Sequence, residues 1–249
     1  PQEAVTKSEP VPSKTQPEVT EKKEIQEAEP LKPEEIKPVS GEREKKVEIN
    51  TSLYSAKWSN KGAVLKKWTL REYKDEKGGP MELVSETSKE INRYPFSLKT
   101  DNPDFDDLIN KALFKTSSTR LNLSNGESKE LRFTYADEQG HKVEKTFTFY
   151  DGSYEIDVQT NIWKNNQRSE PNIVWGPSFG NQSSEAKQKR FGQQVGVSVY
   201  SGGKVARHQE EKFDEEKNTY NFVQWAGYES QYFTVLFFTS PQETSAAFL

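Results

Sequence analysis

From Leu131 to Ile162 apolar and polar side chains alternate with a period of two, and that pattern constrains the fold more than any other feature of the chain. Leu131, Phe133 and Tyr135 point one way, and Arg132 and Thr134 the other. Val143, Phe147 and Phe149 repeat the pattern after a turn at Asp137-Glu138-Gln139-Gly140. Asp151-Gly152 marks a second hairpin, because these residues tolerate the positive φ of tight turns. Tyr154, Ile156, Val158 and Ile162 then share one face, with Glu155, Asp157, Gln159 and Asn161 on the other. A period of two places successive side chains on opposite faces of a strand, so this stretch predicts a three-stranded meander.

Further strands follow from the same reasoning. Ser52 to Ser59 and Ala63 to Tyr73 flank a turn at Asn60-Lys61-Gly62. Ile173 to Trp175 and Val195 to Tyr200 predict shorter strands. Tyr232 to Phe238 is continuously apolar or β-branched, which predicts a strand covered on both faces. One helix is expected, with Asn102 as cap, Pro103 in the first turn, and Phe105, Leu108, Ile109, Ala112 and Leu113 at helical spacing. Many strands and one short helix predict an all-β, two-sheet sandwich.

Only 31% of the residues are hydrophobic, yet 12% are aromatic. The two figures are reconciled by segregation. Residues 1–48 hold 7 of the 13 prolines, 9 Lys or Arg, 12 Asp or Glu and no aromatic residue. Such a segment cannot bury enough apolar area to offset the entropy of ordering. It is expected to be a disordered linker or spacer, leaving 49–249 as the folded domain. From totals of 35 and 39, 26 basic and 27 acidic residues remain in that domain. A balance this even gives no electrostatic reason to propose nucleic acid as a partner. Cys is absent, which removes disulfides and thiol chemistry. No run reaches the ~20 apolar residues that cross a bilayer. The chain opens on Pro1 and has Met81 as its only Met, so it reads as a fragment whose anchor lies outside it.

Candidate reactive groups find bland explanations. Gly176-Pro177-Ser178-Phe179-Gly180 spells G-x-S-x-G, but the hydrolase order of Ser, acid, His fails. Between Ser178 and His208 there is no Asp, and Glu185 is the sole Glu. His141 follows a hairpin Gly and His208 precedes a charged run, and each is expected to be exposed. Their separation fits no metal-ligand spacing. Asp101, Asp104, Asp106 and Asp107 cluster at the helix start, where the helix dipole favours acids. Asp214, Glu215 and Glu216 lie in a polar stretch, and Ser201-Gly202-Gly203-Lys204 is too short for a phosphate loop. Trp58, Trp68, Trp163, Trp175 and Trp225 suit either a core or a sugar or peptide groove. No catalytic, cofactor or metal site is expected, and no binding residue is singled out.

The order of segments carries more information than any one residue. The run Leu53-Tyr54-Ser55-Ala56-Lys57-Trp58, the Gly62 turn, and Leu70-Arg71-Glu72-Tyr73 resemble the opening strands of the periplasmic domain of YidC insertases. The hairpin Phe133-Thr134-Tyr135 to Lys145-Thr146-Phe147, then Asp151-Gly152-Ser153-Tyr154, is similar to the next strands of that family. Trp175-Gly176-Pro177 resembles a Gly-Pro turn of the family, and Trp225-Ala226-Gly227 with Gln231-Tyr232-Phe233 its late segment. The resemblance runs in family order from about residue 51 to 240.

The resemblance implies a β-supersandwich similar to sugar mutarotases, and a Pro/Lys/Glu tether after a first membrane span. It implies a bacterial inner-membrane parent with this domain in the periplasm, and a role in inserting and folding membrane proteins without enzymatic chemistry. Its implied partners are the Sec translocon with its auxiliary subunits and nascent membrane proteins. The chain stops at Leu249, where the family continues, so closing strands are expected to be short or missing. A carbohydrate-binding or mutarotase-like sandwich is the alternative.

Overall fold

A computed structural model describes residues 36–75, 77–177, 180, 196–209, 219–230, 232–239 and 246–247. Along the chain run β1 (Lys46–Asn50), β2 (Tyr54–Ser59), β3 (Val64–Lys74), β4 (Pro80–Glu82), α1 (Glu86–Glu90), β5 (Ser97–Lys99), α2 (Pro103–Lys111), β6 (Lys115–Thr116) and β7 (Arg120–Asn122). The meander follows as β8 (Ser128–Ala136), β9 (Lys142–Tyr150) and β10 (Ile156–Lys164). Then come β11 (Gln167–Ser169), β12 (Asn172–Val174), β13 (Gly196–Ser201), β14 (Lys204–Gln209), β15 (Thr219–Tyr220), β16 (Val223–Glu229), β17 (Thr234–Phe238) and β18 (Ala246–Ala247).

Two five-stranded sheets form the centre, in the orders β4-β3-β2-β1-β7 and β11-β10-β9-β8-β6. They meet face to face through their inward rows. Trp58 of β2 lies 4.2 Å from Phe147 and 6.2 Å from both Phe133 and Phe149, all on the opposite sheet. Leu131 pairs across from Phe147 and Phe133 from Lys145, so the alternation read from the sequence sets which side chains enter the core. Val47, Ile49, Leu131, Val143 and Ile162 complete it, all fully buried. The all-β class is therefore present, and the arrangement is consistent with a supersandwich.

A four-stranded sheet, β14-β13-β16-β17, stands beyond the two central ones. It was not foreseen as a separate layer, because the β13–β16 pairing that joins its two hairpins connects strands distant in sequence and leaves no local signal. The expectation for Tyr232 to Phe238 needs correction. The strand begins at Thr234 and occupies the sheet edge. Leu236 and Phe238 face outward, Phe238 with 75% of its surface exposed. Continuous apolar character reported composition there, not burial. Tyr154 likewise lies before β10 rather than in it, and its ring is exposed.

The expected start of the folded part at 49 also moves. Val39 pairs with Ala136, the Gly41 N–H donates to the Leu113 carbonyl, and β1 begins at Lys46. Val47 and Ile49 are the inward residues of β1. Two apolar residues among charges were too few to show a period.

The helix α2 begins as expected. The Asn102 side chain accepts from the Phe105 N–H at 2.8 Å, and Pro103 opens the first turn. Phe105 and Ile109 are its buried residues. Asn102→Ala leaves that N–H without its partner and costs about 1 kcal/mol, read as a lower urea midpoint with an unchanged slope. The short helix α1, capped by Ser85, escaped prediction because five residues cannot display helical periodicity. Gly62 in the β2–β3 turn has φ +71°, and a Cβ there would stand 2.4 Å from the Asn110 carbonyl oxygen, so only glycine fits.

Candidate functional site

The two histidines close local structure. In the β8–β9 turn, Asp137 accepts from the Gln139 and His141 backbone N–H groups, and the His141 Nδ1 lies 2.8 Å from its carboxylate. The imidazole packs on the Phe105 ring of α2 at 5.0 Å. His141 is therefore half-buried, contrary to the expectation of an exposed turn residue. Burial, then the nearby Asp137 carboxylate, pushes the Tyr135 phenol up. His208 is also half-buried, with its Nε2 hydrogen-bonded to the Tyr220 hydroxyl. Helix α2 for His141 and strand β15 for His208 supplied the cover that the sequence around each His could not show. No group of three His, Asp or Glu able to hold a metal exists among the described residues.

The acidic cluster has structural work. Asp106 accepts from the Thr100 N–H and hydroxyl at 2.7 Å each, and Asp107 pairs with Lys111 one turn on. Residues 201–204 form the β13–β14 turn, with Gly202 and Gly203 at φ 58° and 77°. Ser178, Glu185 and residues 214–216 lie outside the described residues. Trp58 and Trp68 belong to the core. Trp163 lies under the Lys142 ammonium at 4.6 Å, and Trp175 packs against the core with Phe96. A sugar groove built from these rings therefore finds no support.

Sequence reasoning missed Lys145. It sits in β9 in phase with Val143, Phe147 and Phe149 and is 1% exposed. Its Nζ donates to three backbone carbonyls, those of Gly62 at 2.8 Å, Ala63 at 3.2 Å and Phe96 at 2.7 Å. The three donors of an ammonium meet three acceptors. Gly62, Ala63 and Phe96 all have positive φ, so the lysine ties together two left-handed turns from across the sandwich. Burial pushes its ammonium down to about 7. The signal was present: a charged residue in phase with an apolar face is either a misplaced strand or a buried cation.

The C-terminal sheet presents a different surface. Register places Phe238 beside Trp225, Trp225 beside Tyr200, and Tyr200 beside Val205. The Tyr200 and Trp225 rings stack at 5.9 Å. Phe238, Val205 and, one row away, Leu236 are exposed. The outer edge of β17 pairs with no strand among the described residues. Among the described residues, this face sets exposed apolar side chains beside an unpaired strand edge.

A model of the YidC periplasmic domain matches residues 46–248. That is more than half of the chain. The chain belongs to the YidC periplasmic domain family. It is 31% identical over 204 residues to a membrane protein insertase YidC of Syntrophus aciditrophicus, covering 79% of this chain and 36% of that protein. The YidC insertase of Chloroherpeton thalassium is 25% identical over 217 residues, 83% of this chain and 35% of its own length. That of Citrifermentans bemidjiense is 34% identical over 121 residues, 47% and 22% respectively.

The chain thus spans about a third of the length of the first two relatives. The YidC-domain match opens on Lys46, the first residue of β1, and takes in both central sheets and the C-terminal sheet. Lys145 and the outward row on the C-terminal sheet both fall within it.

Proposed function

We propose that this chain is the periplasmic part of a bacterial inner-membrane protein insertase and acts there as a non-catalytic docking module. The observation that carries this reading is the family match over 46–248, from the first central strand to the last described one. The names of the relatives, all membrane protein insertases, support an activity of assisting membrane proteins to insert and fold. Insertion itself belongs to membrane-embedded parts of the parent. The partners on this reading are nascent membrane proteins and the Sec translocon with its auxiliary subunits. Residues 1–48, rich in proline and mixed charge, serve as the tether, and Val39 and Gly41 within them bond to the folded domain.

The docking element is the β17 edge with its outward row. An open edge offers backbone N–H and C=O groups to an extended segment, and alternate side chains then read its sequence. An extended stretch of a membrane protein brings both free backbone groups and apolar side chains, and Leu236, Phe238 and Trp225 receive the latter.

The test is site-specific photo-crosslinking in the membrane-embedded parent. A crosslinker at Leu236 or Phe238 yields adducts with nascent membrane proteins or Sec subunits, whereas one at Lys57, on the far sheet, does not. Equal, background-level adducts from all three positions remove the docking assignment and leave a spacer.

A further inference from the structure

Among the described residues, few side chains join the four-stranded sheet to the sandwich. Val199 and Val223 are buried, yet neither belongs to the main core cluster. Near this sheet, Phe233 and Phe237 are the described side chains that pack on that core. Phe237 lies edge-on to Phe96 at 6.1 Å and to Trp175 at 5.7 Å. Phe233 lies edge-on to Tyr73 at 5.4 Å, and Tyr73 is itself exposed, so this second contact is at the surface.

Phe96 is common to both sides of the joint. Its ring touches Trp58 at 5.0 Å and Phe147 at 5.2 Å within the sandwich, as well as Trp175 and Phe237 outside it. Its backbone sits at φ 68°, a conformation that an aromatic residue adopts only when its surroundings impose it. Two bonds impose it here. The Phe96 N–H donates to the Val174 carbonyl at 2.8 Å, and its own carbonyl accepts from the Lys145 ammonium at 2.7 Å. The direction of the ring that receives Phe237 is therefore set from β9 on the opposite sheet.

We propose that the four-stranded sheet opens from the sandwich as a unit, with Phe96, Trp175 and Phe237 as the latch and Lys145 as the residue that positions it. Segments with few buried contacts to the rest of a protein open at lower free energy than its core strands. The sandwich keeps its own closed set of inward rings, so it survives the parting. Opening uncovers the Phe96, Trp175 and Phe237 rings together.

Native-state hydrogen exchange of this chain, followed by mass spectrometry at low urea, tests the device. Amides of β13, β16 and β17 exchange faster than those of β8 and β9, with a weaker urea dependence. Phe237→Ala speeds exchange in the four-stranded sheet by about tenfold, as loss of one aromatic contact implies, and leaves β8 and β9 nearly unchanged. Tyr73→Ala, a surface substitution, moves the same amides in the same direction by less, and serves if the Phe237 variant fails to fold. Lys145→Met speeds the sheet more than Leu131→Ala, which truncates the core elsewhere. Identical protection and urea dependence of β16 and β8 in the wild type overturn the proposal, as does a uniform acceleration by Phe237→Ala or by Tyr73→Ala. Equal effects of Lys145→Met and Leu131→Ala on the sheet remove Lys145 from the latch.

Discussion

Trp58→Ala costs about 4 kcal/mol of folding stability, the largest effect expected from any single side-chain truncation in this domain. Trp58 is fully buried and joins the two central sheets, touching Phe96, Phe133, Phe147 and Phe149. Truncation removes the transfer free energy of the largest side chain and leaves a cavity that four rings cannot collapse to fill. Domains are stable by only about 5–15 kcal/mol, so the variant lies near the edge of folding. The indole Nε1 is buried with no hydrogen-bond partner. Trp58→Phe removes that unpartnered N–H while keeping most of the ring, and costs under about 2 kcal/mol. Urea midpoints of the two variants check the pair. Equal losses would mean that the ring fills no space that matters.

Lys145→Met costs about 3 kcal/mol at pH 7, by a different route. The thioether fills similar volume but donates nothing, so the carbonyls of Gly62, Ala63 and Phe96 lose a charged donor inside the protein. Release of the cost of burying a charge offsets part of this loss. The same residue gives the wild type a pH signature. Its folded ammonium is pushed by burial from 10.5 down to about 7. Between those values the unfolded chain binds more protons than the folded one, so stability rises with pH across that window and is flat below it. Above pH 10 the Tyr54 phenol, pushed up by burial, reverses the slope, because the unfolded phenol then ionises first. Unfolding measured from pH 7 to 9.5 therefore shows a steeper rise in the wild type than in Lys145→Met, which keeps only the contribution of groups such as Lys66, also lowered by burial. Parallel curves would show that the three carbonyls hold the lysine charged throughout.

Much of the central sandwich was legible because its strands announce themselves locally. Leu131, Phe133, Val143, Phe147, Phe149 and Ile162 occupy the inward positions their alternation assigned, and Asn102 caps α2 as its place before Pro103 implied. The third sheet was not legible as a layer. Its β13–β16 pairing, between strands distant in sequence, gives no local signal about what faces what. Phe238 shows the difficulty: its sequence neighbours resemble those of a core strand, and only its place at an edge leaves it in solvent. His141 and His208 were placed in solvent for the converse reason, since the Phe105 ring and the Tyr220 hydroxyl that cover them come from elsewhere in the chain.

By itself the sequence determined the strand periods, the helix start, the hairpin turns and the family order of segments. Each of these depends on residues within a few positions of one another, where sterics and solvent preference act directly. The tertiary structure alone decided that Lys145 is buried, that Phe96 links two layers, and which face of the last sheet is open. Those outcomes depend on surfaces that meet only when the chain has closed, and the free energy of a buried charge or an exposed ring is fixed by what the rest of the fold places against it.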